Sequence, residues 1–199
     1  GVALHGGLLQ AVSHATAKAS MFMAAGLVYA ALGHDRLADM AGVARAMPVT
    51  VLAFVLAGIA LMGVLPSGAY LAKKLMLDAA VGSGQWWWSI VLQGGAVFTA
   101  GYVVLVLRSV LSTGSAEPLC VRAVSRRSEY AALSLALISL ALAAVTLGPV
   151  SVDLLSGALE PKELLTLLLV LAGGILLMQG LAPVALRNSP GSTPSGLRS

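Results

Sequence analysis

The sequence predicts an all-α integral membrane protein, a polytopic transmembrane bundle of about six helices of which one is short or interrupted. Of its 199 residues, 58% are hydrophobic and only 10% are charged, and the mean hydropathy is +0.93. Soluble domains carry about 25% charged residues, so this chain has too few charges for a surface that faces water. Its apolar stretches approach the ~20 residues that cross the hydrocarbon layer, and short segments that hold most of the charges separate them.

Six apolar stretches predict the helices, and polar or proline-containing segments predict their ends. The first is long enough to cross with tilt and ends at Gly33, and the second begins after Pro48, because proline is favoured in a first helical turn. The third has about thirteen residues, which at ~1.5 Å each fall short of the ~30 Å core, so we expect an interruption or support from neighbours. The predicted spans are approximately residues 4–32, 49–65, 69–81, 89–107, 130–147 and 164–185.

The lysines and arginines of the connections predict the orientation, provided that all six segments cross. One side then holds Arg108, Arg122, Arg126, Arg127, Arg187 and Arg198, and the other holds Arg36, Arg45 and Lys162. Because cytoplasmic loops are enriched in these residues, the first side, with the C-terminal tail, is predicted to be cytoplasmic. Residues 84–88 are expected outside and residues 111–127 inside, in what we expect to be a bacterial inner membrane.

Several other kinds of function have no support in the sequence. The single cysteine, Cys120, cannot form a disulfide within the chain. No motif for a metal, a nucleotide or a cofactor is present, so we expect no cofactor and no redox site of the chain's own. The basic residues form no stripe with aromatic residues, which argues against nucleic acid as a partner.

The two ends of the chain predict a truncated start and a disordered C-terminal tail. The chain starts at Gly1, without a methionine and almost inside a helix, which indicates a fragment of a longer protein. Residues 187–199 are rich in serine, proline and glycine, and this composition predicts a disordered polar tail.

Three polar residues form a stripe on the first predicted helix. Gln10, His14 and Lys18 are four residues apart, so they lie on one face over ~12 Å of helix. An ionisable group at membrane depth costs at least ~2.5 to 3.5 kcal/mol, so a lysine there is expected to face the bundle interior or a water-filled cavity. Histidine titrates near neutral pH, which suits a proton relay. The alternative is that His14 and Lys18 only bind a neighbouring helix and fix the packing.

A second polar group lies on the short third segment. Lys73 and Lys74 are 100° apart on a helix and cannot face the same cavity. Asp78 stands four residues after Lys74, so we expect these two to pair and Lys73 to remain an unpaired cation. A helix break near Pro66 and Gly68 is typical of interrupted helices that line ion paths. The alternative is an interfacial charged cluster that reaches out to water.

Several blocks of sequence resemble the antiporter-like membrane subunits of respiratory complex I, Mrp-type sodium/proton antiporters and membrane-bound hydrogenases. The blocks follow one another at the family's separations and cover about residues 5–148. They read HATAK at 14–18, DMAGV at 39–43, MPVT at 47–50, GIALMGVLP at 58–66 and GAYLAK at 68–73.

The resemblance implies roles for particular residues of this chain. His14 and Lys18 would belong to a central proton axis, and Lys73 would be the ionisable residue in the interrupted helix of the second half-channel. Many relatives carry a histidine where this chain has Gln10. Family members have about fourteen helices in two inverted repeats, and the first repeat is absent from this chain.

The function that follows is translocation of protons, or exchange of sodium and protons, by a subunit of a larger membrane complex. Its expected partners are the lipid bilayer, other membrane subunits and the transported ion, and it would be at most a translocase subunit. The predicted organisation is an antiporter-like transmembrane domain at residues 1–148, an extra loop and helix at 149–186, and the tail. The alternatives are a non-conducting structural subunit, a truncated remnant, or an unrelated small-solute transporter.

Overall fold

A computed structural model describes residues 1–112, 121–147 and 161–187, and these residues form helices and the segments that join them. The predicted all-α bundle is confirmed, because each predicted span corresponds to one helix. The helices are α1 (Val2–Leu32), α2 (Val43–Ala46), α3 (Pro48–Met62), α4 (Gly68–Gly82), α5 (Trp87–Leu111), α6 (Arg126–Leu147) and α7 (Pro161–Arg187), with a 3-10 turn at Leu37–Asp39. The predicted tail beyond Arg187 and the predicted loop at 149–160 lie outside the described residues.

Two of the described helices are long and apolar enough to cross a membrane by length and composition, namely α1 with 31 residues and α5 with 25. Two further apolar segments are shorter, α3 and residues Leu164–Gln179 of α7. Since α3 has 15 residues, it rises only about 22 Å at ~1.5 Å per residue and cannot cross the ~30 Å core alone.

Helices α1 and α6 are antiparallel and are joined by buried hydroxyl groups. Ser13 and Ser139 lie with their Oγ atoms 3.3 Å apart, and Ser20 donates to the carbonyl of Ala132 at 2.7 Å. Seven residues forward along α1 therefore correspond to seven residues backward along α6. Hydroxyl groups satisfied in this way are a common means of joining helices in a membrane, where small residues also allow close approach.

Helices α3 and α4 follow one another in the same direction and together make one interrupted crossing. Thr50, near the start of α3, bonds to Glu129 in the first turn of α6, whereas Gly68, the first residue of α4, packs against Leu142 near the other end of α6. Farther along α4, Leu75 lies against Gly6 at the start of α1. The path thus continues from one end of the bundle to the other.

Helices α5 and α7 run parallel and approach closely through glycines. Val97 lies against Gly173, and Gly101 lies against Gly174. A Cβ atom added at Gly174 would lie 2.7 Å from the backbone nitrogen of Gly101, so only glycine fits there without a shift of the backbone. One core cluster joins these helices to α1, α3 and α6. It contains Met21, Ala57, Met62, Ala96, Ala100, Val103, Ala136 and Val170.

The structure corrects one part of the predicted orientation. The nitrogen of Gly42 donates to the carbonyl of Ser112 at 3.1 Å, and the nitrogen of Arg122 donates to the carbonyl of Ala31 at 2.9 Å. The connection at 33–47 therefore lies at the same end as the connection after α5, and placing Arg36 and Arg45 on the opposite side was wrong. The physical reason is that α3 and α4 share one crossing, so the third predicted segment does not reverse the direction of the chain.

The corrected arrangement gathers the arginines at one end, which we call the arginine end. Six exposed arginines lie there: Arg36, Arg45, Arg108, Arg122, Arg126 and Arg127. Lys162 stands at the start of α7, at the other end. The difference in the number of lysines and arginines between the two ends is larger than in the six-crossing arrangement. This difference favours the arginine end as cytoplasmic.

Cysteine labelling of the full-length protein in intact cells, with Cys120→Ser as background, tests this orientation. Ser83→Cys should react with an impermeant reagent from outside, whereas Ser112→Cys should react only after permeabilisation. Asp35→Cys should behave like Ser112→Cys, because the two connections share one end. Labelling of Asp35→Cys from outside together with a protected Ser112→Cys would restore the six-crossing arrangement.

Candidate functional site

The predicted helix interruption is present between α3 and α4. Gly63 ends α3 with φ +68°, a left-handed conformation that glycine adopts without a steric penalty, and its N–H bonds to the carbonyl of Ala60. Ser67 then caps α4, since its Oγ accepts the N–H of Tyr70 at 3.2 Å. The break thus has a defined local structure that includes both predicted residues, Pro66 and Gly68.

The backbone of this break is covered by two neighbouring helices. Ser67 is fully buried, and a Cβ atom added at Gly68 would lie 2.7 Å from Cβ of Leu142 and 3.1 Å from Oγ of Ser13. Ser13 lies well inside α1, so the break is at depth within the bundle. Irregular backbone at membrane depth is tolerated only against protein or water, and here α1 and α6 provide the protein side.

On its other side the break borders a cavity of about 460 Å³ between α4, α5 and α7, which we call the lysine cavity. Residues of the break itself, from Gly63 to Leu65, form part of its wall. Its polar lining consists of Tyr70, Lys73, Lys74, Asp78, Gln93 and Thr166.

Lys73 lies half-buried in this cavity with a partner that the sequence did not predict. Its Nζ donates to Oε1 of Gln93 on α5 at 2.6 Å. The expectation of an unpaired cation was therefore wrong, since the Gln93 amide accepts a hydrogen bond from the Lys73 amine. Gln93 is a lone amide within an apolar stretch, and this is the one feature of the sequence that could have drawn attention to it. Its contact with Lys73 could not be predicted, because it depends on how α4 packs on α5.

Lys74 and Asp78 line the same cavity but do not form the predicted ion pair. Both side chains are exposed, and within the described residues the only ion pair joins Arg126 to Glu129 at 3.9 Å. Pairing exposed side chains restricts two mobile chains for little gain in Coulomb energy, which is why i,i+4 spacing alone does not guarantee contact.

The polar stripe on α1 is only partly buried. Lys18 is half-buried, His14 is exposed, and Oε1 of Gln10 is buried without a hydrogen-bond partner in the described part of the chain. His14 is thus exposed within the described chain, although it lies on the same face of the helix as Lys18. Burial does not change steadily along the stripe, because exposed His14 lies between two half-buried residues, Gln10 and Lys18.

Lys18 contacts aromatic rings rather than a carboxylate. Its Nζ lies 5.8 Å from the ring centroids of both Phe22 and Tyr102, distances at which a cation is attracted to the ring faces. The Tyr102 hydroxyl in turn donates to Sδ of Met21 at 2.7 Å. No spacing within the sequence singles out Tyr102, because its contact with Lys18 depends on how α5 packs on α1.

The two lysine clusters meet opposite sides of α5. Gln93 and Tyr102 are nine residues apart, which corresponds to two and a half turns and about 13.5 Å along the helix. The polar contacts described for Lys18 and for Lys73 thus form two separate groups.

A third polar pair lies nearer the arginine end. Oγ1 of Thr50 donates to Oε1 of Glu129 at 2.8 Å, and both residues are buried, with Glu129 only 5% exposed. Glu129 lies in the first turn of α6, where the helix N-terminus favours a carboxylate. No three histidine, cysteine, aspartate or glutamate side chains come together to hold a metal within the described ranges.

Comparison with known proteins places this architecture in a family. The family model described as NADH:quinone oxidoreductase/Mrp antiporter, transmembrane, matches residues 2–99. Among curated relatives, NADH-quinone oxidoreductase subunit N of Desulforudis audaxviator is 32% identical over 117 residues, which is 59% of this chain and 23% of that protein. Subunit L of Rickettsia conorii is 31% identical over 105 residues, 53% of this chain and 16% of that protein. Subunit L of Mycobacterium tuberculosis is 30% identical over 105 residues, which is 52% of this chain and 16% of that protein.

The match is partial with respect to the relatives, since the chain spans less than a quarter of the length of these proteins. No solved structure gives a significant match. The matched region of the family model nevertheless contains α1, the interrupted pair α3 and α4, and the first half of α5. The chain is therefore an integral membrane protein that belongs to the antiporter-like membrane subunits of the NADH:quinone oxidoreductase and Mrp antiporter family.

Proposed function

We propose that this chain forms part of a subunit that translocates protons across a bacterial inner membrane, with Lys73 as the proton-carrying group. The observation that supports this most is the position of the Lys73 amine, which lies in the lysine cavity directly beside the interrupted backbone. An ionisable group at membrane depth is costly, and a cavity beside it gives water or a transported ion access to it.

The hydrogen-bond partner of Lys73 suits a group that changes its charge. Gln93 accepts a hydrogen bond from the ammonium form and equally from the neutral amine. Loss of the proton therefore need not break the hydrogen bond between Lys73 and Gln93.

The lysine cavity favours a proton over a sodium ion as the transported species. Among the residues that the structure describes, its charged lining consists of Lys73, Lys74 and one carboxylate, Asp78. A bound sodium ion would be repelled by both ammonium groups at short range, because the interaction of like charges rises as they approach. A proton carried on the lysine itself avoids this repulsion.

The remaining residues of the stripe on α1 complete the proposal. Lys18, with Gln10 and His14, would carry protons along a polar axis at the level of the bundle core. Because His14 is exposed on the described chain, its other neighbours would come from a further part of the subunit or from another membrane subunit. The reaction that supplies the energy would then belong to the larger complex.

One observation favours a second function, that of a non-conducting structural subunit. The exposed His14 and the buried, unpartnered Oε1 of Gln10 indicate that the stripe is incomplete within the described chain. In that case the stripe would only hold neighbouring helices together. A flux measurement separates the two functions.

Flux through the full-length subunit in proteoliposomes, measured as dissipation of a pH gradient, tests the assignment of Lys73. Lys73→Ala should remove most of the flux, because the cavity loses its proton-carrying amine. Lys74→Ala is the matched control, since its side chain is exposed and forms no ion pair with Asp78 in the described structure. Wild-type flux from Lys73→Ala at equal insertion would contradict the proposal, and so would loss of flux from Lys74→Ala alone.

A further inference from the structure

We propose that the arginine end of the subunit binds one anionic phospholipid, with an acyl chain in a small apolar cavity and the phosphate beside Arg36. This lipid site goes beyond the proposed function and does not depend on whether the subunit conducts protons. The observation from which it starts is a second cavity, which none of the residues of the two lysine clusters lines.

The second cavity lies between α1, α3, α5 and the connection that follows α1, and its volume is about 220 Å³. We call it the apolar cavity, because alkyl and aromatic side chains such as Val28, Phe54 and Leu107 form most of its wall. The Thr50 hydroxyl, which also reaches it, already donates to Glu129 at 2.8 Å. Cavities with such walls stay dry and take up apolar ligands rather than water.

The apolar cavity has the depth of an acyl chain in one leaflet. Its deepest wall residue on α1 is Ala24, nine residues before Gly33, the cap that ends the helix. Nine residues rise about 13.5 Å, which is close to half of the ~30 Å hydrocarbon core. A chain in the cavity would therefore run from the headgroup level at the arginine end to near the middle of the bilayer.

The apolar cavity opens toward the lipid along α1. Ala25 and Tyr29 both line it, both are exposed, and their spacing of four residues puts them on one face of the helix. Helix α1 is long and apolar enough to cross a membrane. A second helix is ~10–12 Å across, so a cavity of about 220 Å³ would hold only about 2–3 Å of its length. A slender acyl chain fits this space better than a helix does.

The mouth of the apolar cavity is polar and lies at the arginine end. His34 and Asp35 line it there, and the Nδ1 atom of His34 is buried without a hydrogen-bond partner in the described part of the chain. Buried polar atoms normally have a partner. Because a phosphate or ester oxygen of a lipid accepts the hydrogen of an Nδ1–H group, a headgroup at the mouth would satisfy this atom.

The charges around the mouth favour an anionic headgroup. Arg36 is exposed and stands between two residues that line the cavity, Asp35 and Leu37. Its guanidinium can bind a phosphate directly through two parallel hydrogen bonds, whereas water screens the repulsion from the exposed Asp35 carboxylate. Against the six exposed arginines of this end, the described residues place only three carboxylates, those of Asp35, Asp39 and Glu129. The surplus of positive charge attracts anionic lipids in preference to zwitterionic ones.

Native mass spectrometry of the detergent-solubilised full-length subunit tests the site, with phosphatidylglycerol and phosphatidylcholine of the same acyl chains as probes. The wild type should retain one phosphatidylglycerol more tightly than it retains phosphatidylcholine. Arg36→Gln should reduce the affinity for phosphatidylglycerol to that for phosphatidylcholine, because the phosphate loses its guanidinium partner. Arg127→Gln is the matched control, since it removes an exposed arginine at the same end from α6, a helix that contributes no described residue to the cavity.

A second pair of variants tests the position of the acyl chain. Ala25→Phe puts a ring at the opening of the apolar cavity and should weaken the binding of both lipids. Ala30→Phe adds the same ring at an exposed position of α1 that does not line the cavity, so it should bind both lipids as the wild type does. Because both positions are exposed, neither ring has to enter the packed core, and both melting temperatures should stay near that of the wild type.

Three results would overturn the lipid site. The first is equal affinity of the wild type for the two lipids. The second is an equal loss of affinity in Arg36→Gln and Arg127→Gln, which would mean diffuse attraction to the arginine end rather than one site. The third is wild-type binding by Ala25→Phe, which would place the acyl chain elsewhere or show that another segment of the subunit fills the cavity. Proton flux in Lys73→Ala bears only on the proposed function, so the two proposals can fail separately.

Discussion

Gly68→Ala is expected to destabilise the bundle and to displace the helix break, although it adds a single methyl group. The new Cβ would lie 2.7 Å from Cβ of Leu142 and 3.1 Å from Oγ of Ser13. Neither Cβ of Leu142 nor the α6 backbone behind it can rotate away, so the helices must separate. Overpacking of a core typically costs about 1–3 kcal/mol. Because the break forms a wall of the lysine cavity, the shift should also displace Lys73.

Gly82→Ala provides the matched control, because Gly82 is the last residue of the same helix and a Cβ there would meet nothing within 4 Å. The melting temperature of the detergent-solubilised protein should fall for Gly68→Ala and stay near wild type for Gly82→Ala. In a double-mutant cycle, Leu142→Gly should partly offset Gly68→Ala, since it removes the clashing atom. Equal melting temperatures for both alanine variants would show that α4 and α6 are not packed as closely as described.

The hydropathy of the sequence was enough to predict the helices but not the direction in which each one runs. Both Gly63 and Pro66 lie between two apolar stretches, and the sequence correctly indicated a break there. Whether a short segment such as α4 reverses the chain or continues it depends on which neighbours it meets, here Gly6 and Leu142. Those contacts join residues that are far apart in the sequence. The count of arginines on each side was therefore wrong, because it assumed that α3 and α4 each cross the membrane separately.

The candidate site shows the same division between local and long-range information. Helical spacing separated Lys73 from Lys74, and the structure places Lys73 half-buried and Lys74 exposed. Gln93 and Tyr102 could not be selected, because their roles depend on the packing of α5 against α4 and α1. Thr50 was likewise outside the sequence argument, since its partner Glu129 is 79 residues away. Spacing within one helix identifies candidate ionisable groups, and packing between helices decides their partners.

Lys18→Arg is expected to leave the subunit assembled while removing most of its proton flux. The Lys18 ammonium lies 5.8 Å from the ring centroids of Phe22 and Tyr102, and a guanidinium group also stacks on aromatic rings. The structural contribution of the cation should therefore survive the substitution. Proton transfer should not survive, because arginine stays protonated throughout the accessible pH range, whereas a lysine amine can release its proton.

Dissipation of a pH gradient in proteoliposomes, at equal insertion of each full-length variant, measures this effect. Lys18→Ala should also lose flux unless water fills the space that the side chain leaves. His14→Ala should have a milder effect, since His14 is exposed in the described chain and water can bridge one helical turn. Wild-type flux from Lys18→Arg would mean that Lys18 is a fixed structural cation. The stripe on α1 would then hold helices together rather than conduct protons.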